Sequence, residues 1–177
     1  MEYICEYESP IGVLTLASDG NAISGLWMDG QKYHGATLEE DVVRTDDAPG
    51  FPEMRAWLDA YFSGARPAPD LVPLAPKGSD FRQAVWRKLL EIPYGELTSY
   101  GAIANQLKKE RGKASALAVG GAVGHNPISI IIPCHRVVGA DGSLTGYAGG
   151  LDKKIRLLEH EGVDMTKLYV PKKGTAL

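Results

Sequence analysis

Strand-like alternation of apolar and polar positions opens the chain. Tyr3–Tyr7, Gly12–Ala17 and Ala22–Met28 each read as strands, with turn signals at Ser9-Pro10 and Asp19-Gly20-Asn21 between them. The period then lengthens. Met54, Trp57, Leu58 and Tyr61 recur at helical spacing and predict a helix over Pro52–Phe62, with Gly64 as its stop. From Ala65 to Gly78 the chain carries four prolines and predicts an extended linker.

Beyond Gly78 the pattern is helical. Asp80 with Gln83 resembles a capping box, and Phe81, Val85, Leu89 and Ile92 form one apolar stripe that ends at Pro93-Tyr94-Gly95. A second helix covers roughly Ser99–Leu107, with Tyr100, Ile103 and Leu107 on one face, and a basic turn, Lys108–Lys113, follows. The helix expected next, Ala114–Gly124, is unusual. Two interior glycines cost about 1 kcal/mol each relative to alanine, and nearly every side chain is too small to fill a core. Such a helix suits close backbone approach, either to a groove or to another part of its own protein. The basic turn beside it favours the groove, so the pair reads as a helix-turn-helix whose second member enters DNA. A last helix is expected over Asp152–Glu161, before Gly162.

The β-branched run Ile130-Ile131-Ile132 predicts a buried strand. Pro133 ends regular pairing because it cannot donate to a ladder. Cys134 then sits beside His135 where rigid backbone gives way. The only other cysteine is Cys5, so neither a disulfide framework nor a metal knuckle is indicated, and a buried structural thiol is the plain alternative.

At 177 residues, 44% hydrophobic and 23% charged, the chain fits one soluble globular domain or two small ones. No apolar run approaches a membrane span, and the acidic start lacks a signal-peptide pattern. Two unpaired cysteines fit a reducing compartment, so a cytoplasmic location is expected. The net charge of −3 hides an asymmetry: residues 1–78 hold 5 Lys+Arg against 13 Asp+Glu, and residues 79–177 hold 14 against 9. The second half alone is basic enough to meet phosphate.

An ordered series of short motifs spans residues 79–162: Phe81…Val85-Trp86, Ile92-Pro93-Tyr94-Gly95, Ser99-Tyr100 and Ala118-Val119-Gly120-Gly121-Ala122. It continues through Asn126-Pro127, Ile132-Pro133-Cys134-His135-Arg136-Val137, Gly146-Tyr147 and Glu161-Gly162. In these residues the chain resembles the O6-alkylguanine-DNA alkyltransferases, which repair methylated DNA. The resemblance implies an α+β protein: a ribonuclease-H-like α/β accessory domain over residues 1–64, a linker over 65–78, and a mainly helical DNA-binding and methyl-acceptor domain over 79–177. Its partner would be double-stranded DNA containing alkylated bases, bound by a monomer. Nothing suggests a regenerating cofactor, and the zinc site seen in some members has no evident ligand set in the N-terminal half. Relatives with tryptophan in place of the cysteine recognise lesions without repairing them. This chain keeps Cys134.

The chemistry needs a thiolate and a base to take its proton. His135 and Glu161 would complete an activated-nucleophile arrangement with Cys134. A carboxylate at the C-terminal end of a helix opposes the macrodipole by a few tenths to 1 kcal/mol, which marks Glu161 independently. The resemblance assigns Asn126 to bracing the active-site turn and Tyr100 to polarising the departing guanine. It assigns Val137, Tyr147, Ala148, Gly149 and Lys154 to the base pocket. Ser115, Ala116, Leu117, Ala118 and Gly120, with Arg111, Lys113 and Arg136, are the expected DNA contacts. The chain departs from the family in three places. Leu117 stands where many members have an arginine that fills the space left by the flipped nucleotide, the preceding turn is about three residues longer than the commonest form, and Ala148 replaces a frequent serine. A lesion sensor with weak transfer is therefore the alternative. A cysteine hydrolase, the third reading, would leave the helix-turn-helix without a role.

Overall fold

The computed structural model describes residues 1–172. The chain divides into two compact units, Met1–Lys77 with Pro127–Ile131, and Gly78–Asn126 with the remainder from Ile132 onward. Pro127–Ile131, expected in the second domain, thus belongs to the first unit.

The first unit is a sheet with one helix. Strands β1 (Glu2–Ser9), β2 (Gly12–Ser18), β3 (Ile23–Met28) and β4 (Val42–Arg44) lie in the order β3-β2-β1-β4. The β1–β2 and β2–β3 pairs are antiparallel and the short β4, which no apolar pattern announces, runs parallel to β1. Helix α1 (Phe51–Phe62) buries Phe51, Met54, Trp57, Leu58 and Tyr61. The proline-rich stretch is no free linker. Ile23 N–H donates to Pro73 O at 2.8 Å and Ala75 N–H to Ile23 O at 2.8 Å, which lays the chain along β3.

The expected strand at Ile130–Ile132 does not form. Leu26 N–H donates to Pro127 O at 2.8 Å and Ser129 N–H to Leu26 O at 3.0 Å, so the segment makes an isolated bridge at Ile128. The three isoleucines are buried in turns. Ile131 N–H bonds Ser129 O across Ile130, whose φ is +73°. That is a strained conformation for a β-branched residue. A short apolar run reports burial, and periodicity alone cannot distinguish a strand from a buried turn.

The second unit is helical: α2 (Asp80–Leu90), α3 (Tyr100–Arg111), α4 (Ala116–Gly124) and α5 (Leu151–His160), with the parallel pair β5 (Thr98–Ser99) and β6 (Val137–Val138). The cap of α2 is Ser79, whose hydroxyl accepts from Arg82 N–H at 3.3 Å, and not Asp80. Ser99 and Ser115 cap α3 and α4 in the same way. Most of the expected basic turn is the last turn of α3, closed by Gly112 at φ +84°. Lys88 on α2 pairs with Glu110 at 2.5 Å and so links α2 to the last turn of α3. Helix α4 resolves its composition by face. Val119, Gly120, Ala122 and Val123 are buried, and Trp86 Nε1 donates to Ala122 O at 2.9 Å. Ala116, Leu117, Ala118 and Gly121 are exposed.

Candidate active site

Backbone turns, rather than a strand, aim the cysteine. Pro133, at φ −82° and ψ 63°, centres an inverse γ-turn closed by Cys134 N–H to Ile132 O at 2.8 Å. One turn of 3-10 helix, Cys134–Arg136, follows. Asn126 Nδ2 donates to Ile132 O at 2.8 Å, which ties together the two ends of the Pro127–Ile131 excursion. β6 then pairs in parallel with β5, so the Cys134 turn enters this small sheet at its N-terminal end and Tyr100 leaves it at the C-terminal end.

A dense polar network stands behind the cysteine. His135 is fully buried, and its Nε2 lies 2.6 Å from Glu161 Oε2. Glu161 caps the C-terminus of α5 and accepts from Gly95 N–H at 3.1 Å. Arg136 grips both carboxylate oxygens, Nε to Oε1 at 2.7 Å and Nη2 to Oε2 at 3.1 Å. Its Nη1 donates to Ile92 O at 2.6 Å and its guanidinium lies 5.7 Å from the Tyr94 ring centroid. Burial disfavours charge on Glu161, but the hydrogen bonds from His135 and Arg136 and the charge of the guanidinium overcome it and hold the carboxyl well below the usual range. Burial lowers His135, as do the charges of Arg136 and Lys154, against the pull of Glu161. The imidazole is therefore neutral beside an ionised carboxylate. With the Nε2 proton directed at Glu161, Nδ1 carries the lone pair, and it has no hydrogen-bond partner among the described residues.

Burial raises the Cys134 thiol; hydrogen bonds from Asn126 and Tyr147 and the charge of Lys154 act against it. Lys154 is itself fully buried and is lowered by that burial to about 8. Its Nζ donates to Val137 O at 2.6 Å and Thr145 O at 3.2 Å, so it clasps both ends of the segment that leads to Tyr147. Burial pushes Tyr100 up to about 12, with a hydrogen bond from Thr145 working the other way. Val137 is fully buried, while Tyr147, Ala148 and Gly149 are partly exposed in a turn closed by Gly150 N–H to Tyr147 O at 2.8 Å.

Two of the expected DNA contacts lie elsewhere. Arg136 is buried and its donors are spent on Glu161 and Ile92, so it has nothing to offer a phosphate. Gly120 faces the interior of its own domain; Gly121 is the glycine on the open face, where an added Cβ would meet none of the described residues. Ser115, Ala116, Leu117 and Ala118 are exposed, as are Arg111 and Lys113. Phe81, Arg111, Lys113, Ala114, Ser115 and Ala118 line a groove of about 580 Å³. Gly95 and Ile92, and Arg136 in its buried role, are the network members that residue-by-residue reading misses. The carboxylate set against its helix dipole is the available signal that cations must gather near Glu161.

A helix-turn-helix domain that encloses a cysteine backed by a neutral histidine and an ionised glutamate defines a class: a DNA-binding fold with a built-in nucleophile. Residues 3–76 match the 6-O-methylguanine DNA methyltransferase ribonuclease-like domain and residues 80–163 the DNA binding domain of the same name. The chain is 48% identical over 154 residues to a methylated-DNA–protein-cysteine methyltransferase of Mycobacterium tuberculosis (87% of this chain, 88% of that one). It is 41% identical over 161 residues to the Haemophilus influenzae protein of that name (91% and 87%). The crystal structure of Mycobacterium tuberculosis OGT in complex with DNA superposes with a TM-score of 0.78 at 46% identity, covering 90% of this chain and 92% of that one. The chain belongs to the 6-O-methylguanine-DNA methyltransferase family.

Proposed function

We infer that this protein repairs DNA by transferring the methyl group of O6-methylguanine to its own Cys134. The observation that carries the reading is His135, neutral and buried, with Nε2 committed to Glu161 and Nδ1 left to receive a proton. The Cys134 proton passes to His135, directly or through a water, and the sulfur lone pair attacks the methyl carbon. The bond from that carbon to O6 breaks, and its electron pair stays on the guanine. Tyr100, kept a phenol by its raised pKa, donates a proton or hydrogen bond to the departing base. Asn126 and Tyr147 donate toward the sulfur while it is charged, and Lys154 balances that charge. The product is a thioether. It is a poor leaving group, so each molecule acts once.

Base chemistry requires the nucleotide to leave the stack, at a cost of a few kcal/mol. The exposed face of α4 supplies the surface for the DNA groove. Lys108, Lys109, Arg111 and Lys113 face the phosphates, and Leu117 occupies the space the base vacates. A relative solved in complex with DNA supports DNA as the partner. The protein works as a monomer in a reducing cytoplasm, where Cys5 and Cys134 stay free thiols; among the described residues no helix is long and apolar enough to cross a membrane. The test is to incubate the protein with a duplex containing O6-methylguanine and weigh the Cys134 peptide. A permanent methyl on that peptide, at most one per molecule, is expected; no mass change or repeated turnover would refute the reading.

A further inference from the structure

The segment after Glu161 packs on the loop that carries the pocket residues. Gly162, at φ +77°, turns the chain out of α5, with Gly162 N–H bonded to Glu159 O at 3.0 Å and Val163 N–H to Leu158 O at 3.1 Å. Val163, Met165 and Leu168 then pack against buried Val138, Leu144 and Leu158, a small apolar cluster. Tyr169 closes the segment. Leu144 N–H donates to Tyr169 O at 2.8 Å, Tyr169 N–H to Gly142 O at 3.1 Å, and the Tyr169 hydroxyl to Asp141 Oδ2 at 2.6 Å.

The loop is shaped to receive it. Gly139 N–H bonds Ser143 O and Gly142 N–H bonds Gly139 O, both at 2.9 Å, and Ser143 N–H bonds Asp141 Oδ1 at 3.1 Å. Gly142 sits at φ +88°, and a Cβ there would lie 2.3 Å from Lys167 O. A side chain at this position is excluded twice, by conformation and by contact with the segment. On the other side Lys154 holds Val137 O and Thr145 O. The stretch from Gly146 to Gly150 therefore leaves a doubly anchored base, and its far end is fixed by the first turn of α5 through Lys154 N–H to Gly150 O at 3.1 Å.

We propose that Val163–Tyr169 is a strap that sets the position of the wall of the base pocket, with Tyr169 as the positioning residue that locks it to Asp141. The strap joins two parts of one site, since it begins two residues after Glu161 and ends on the loop bearing Tyr147. It touches neither Cys134 nor His135 in any of these bonds. Its effect is on how well the guanine is held and not on the displacement.

The proposal rests on the methyl-transfer reading, and the experiment separates the two. The probe is a short single strand containing O6-methylguanine, which needs no flipping. Labelling of Cys134 is followed against probe concentration for the unaltered chain and for Tyr169→Ala, Asp141→Asn and Gly142→Ala. Tyr169 and Asp141 are exposed, so their variants fold. The half-saturating concentration should rise about three- to ten-fold, the range that one hydrogen bond corresponds to. The limiting rate should stay within about two-fold, as for loss of binding made equally in ground and transition states. The Tyr169→Ala/Asp141→Asn pair should be no worse than the more impaired single variant. Unchanged saturation, a fall in limiting rate alone, or additive losses would overturn the strap. If the unaltered chain gains no methyl at Cys134, the methyl-transfer reading falls and the strap with it.

Discussion

The Cys134 turn and the outer face of α4 belong to the same helical unit and are built on opposite principles. Around Cys134, nearly every polar atom is buried and partnered: one carboxylate satisfies a histidine, an arginine and a backbone N–H at once. The outer face of α4, formed by Ala116, Leu117, Ala118 and Gly121, is uncharged and open. The contrast teaches how the two tasks constrain sequence. Chemistry at a buried thiol demands fixed charges, because a misplaced one costs several kcal/mol. A surface that meets a groove demands only that little stand in the way, which leaves single positions free to differ.

Removing the nucleophile separates the two regions most sharply. Cys134→Ala should abolish methyl transfer while DNA affinity stays within about three-fold, because the sulfur is an acceptor and not an anchor. Mass measurement of the peptide and a DNA titration check the two halves; a methyl found on Cys5 or elsewhere would refute the assignment.

Next in size is the network behind the sulfur. Glu161→Gln should slow transfer by about 10²-fold or more, the usual range for general acid–base partners. It should also change acid stability. Glu161 is depressed below its ordinary value of 4.5, so its contribution is complete above that value and is lost as the pH falls below it. His135 is lowered from 6.5 and neutral in the fold, so the unfolded chain gains protons, and the fold loses stability, as the pH falls below 6.5. The Gln variant should therefore melt with a flatter acid limb below pH 4.5. Arg136→Met leaves the buried carboxylate without its cation and should cost about 3–5 kcal/mol, read as a drop in melting temperature. An Arg136 variant that melts normally but binds DNA poorly would return Arg136 to the DNA surface.

These network residues also show what a sequence can and cannot disclose. The helices are legible because apolar periodicity acts locally, although their serine caps are not, and Asp80 reads as the cap that Ser79 supplies. Cys134, His135 and Glu161 stand out by residue type and position. Arg136 misleads because charge in a sequence carries no record of burial: beside a DNA-binding pattern, an arginine reads as a phosphate contact until its partners are seen. Ile130–Ile132 read as a strand because burial and extension look alike over so short a run. The strap is invisible, since its bonds are backbone pairs between Gly142, Leu144 and Tyr169, far apart in the chain.

On the DNA side, the proposed phosphate contacts lie at the end of α3 and in the turn after it. Lys108, Lys109, Arg111 and Lys113 are all exposed, and Glu110 is drawn away from them by Lys88. Affinity should fall steeply with salt, and each neutralised contact should reduce the log–log slope by about 0.9. A slope unchanged by Lys108→Gln, Lys109→Gln, Arg111→Gln and Lys113→Gln together would move the phosphate track elsewhere.

The smallest effect tests the most individual residue of the chain. Leu117 is 78% exposed, so its own domain gives it little burial to lose. A leucine in that position can fill the gap of a flipped base as an apolar wedge, offsetting part of the unstacking cost. Leu117→Ala should then slow transfer from duplex by about ten-fold, the worth of one to two buried methylenes. Transfer from a short single strand, which has no stack to refill, should be nearly unaffected, and the melting temperature should not move. Leu117→Arg should keep or improve the duplex rate, because the guanidinium adds a donor for the orphaned cytosine. Equal losses on duplex and single strand would mean that Leu117 makes a contact common to both. The wedge would then be wrong, although the chemistry at Cys134 would stand.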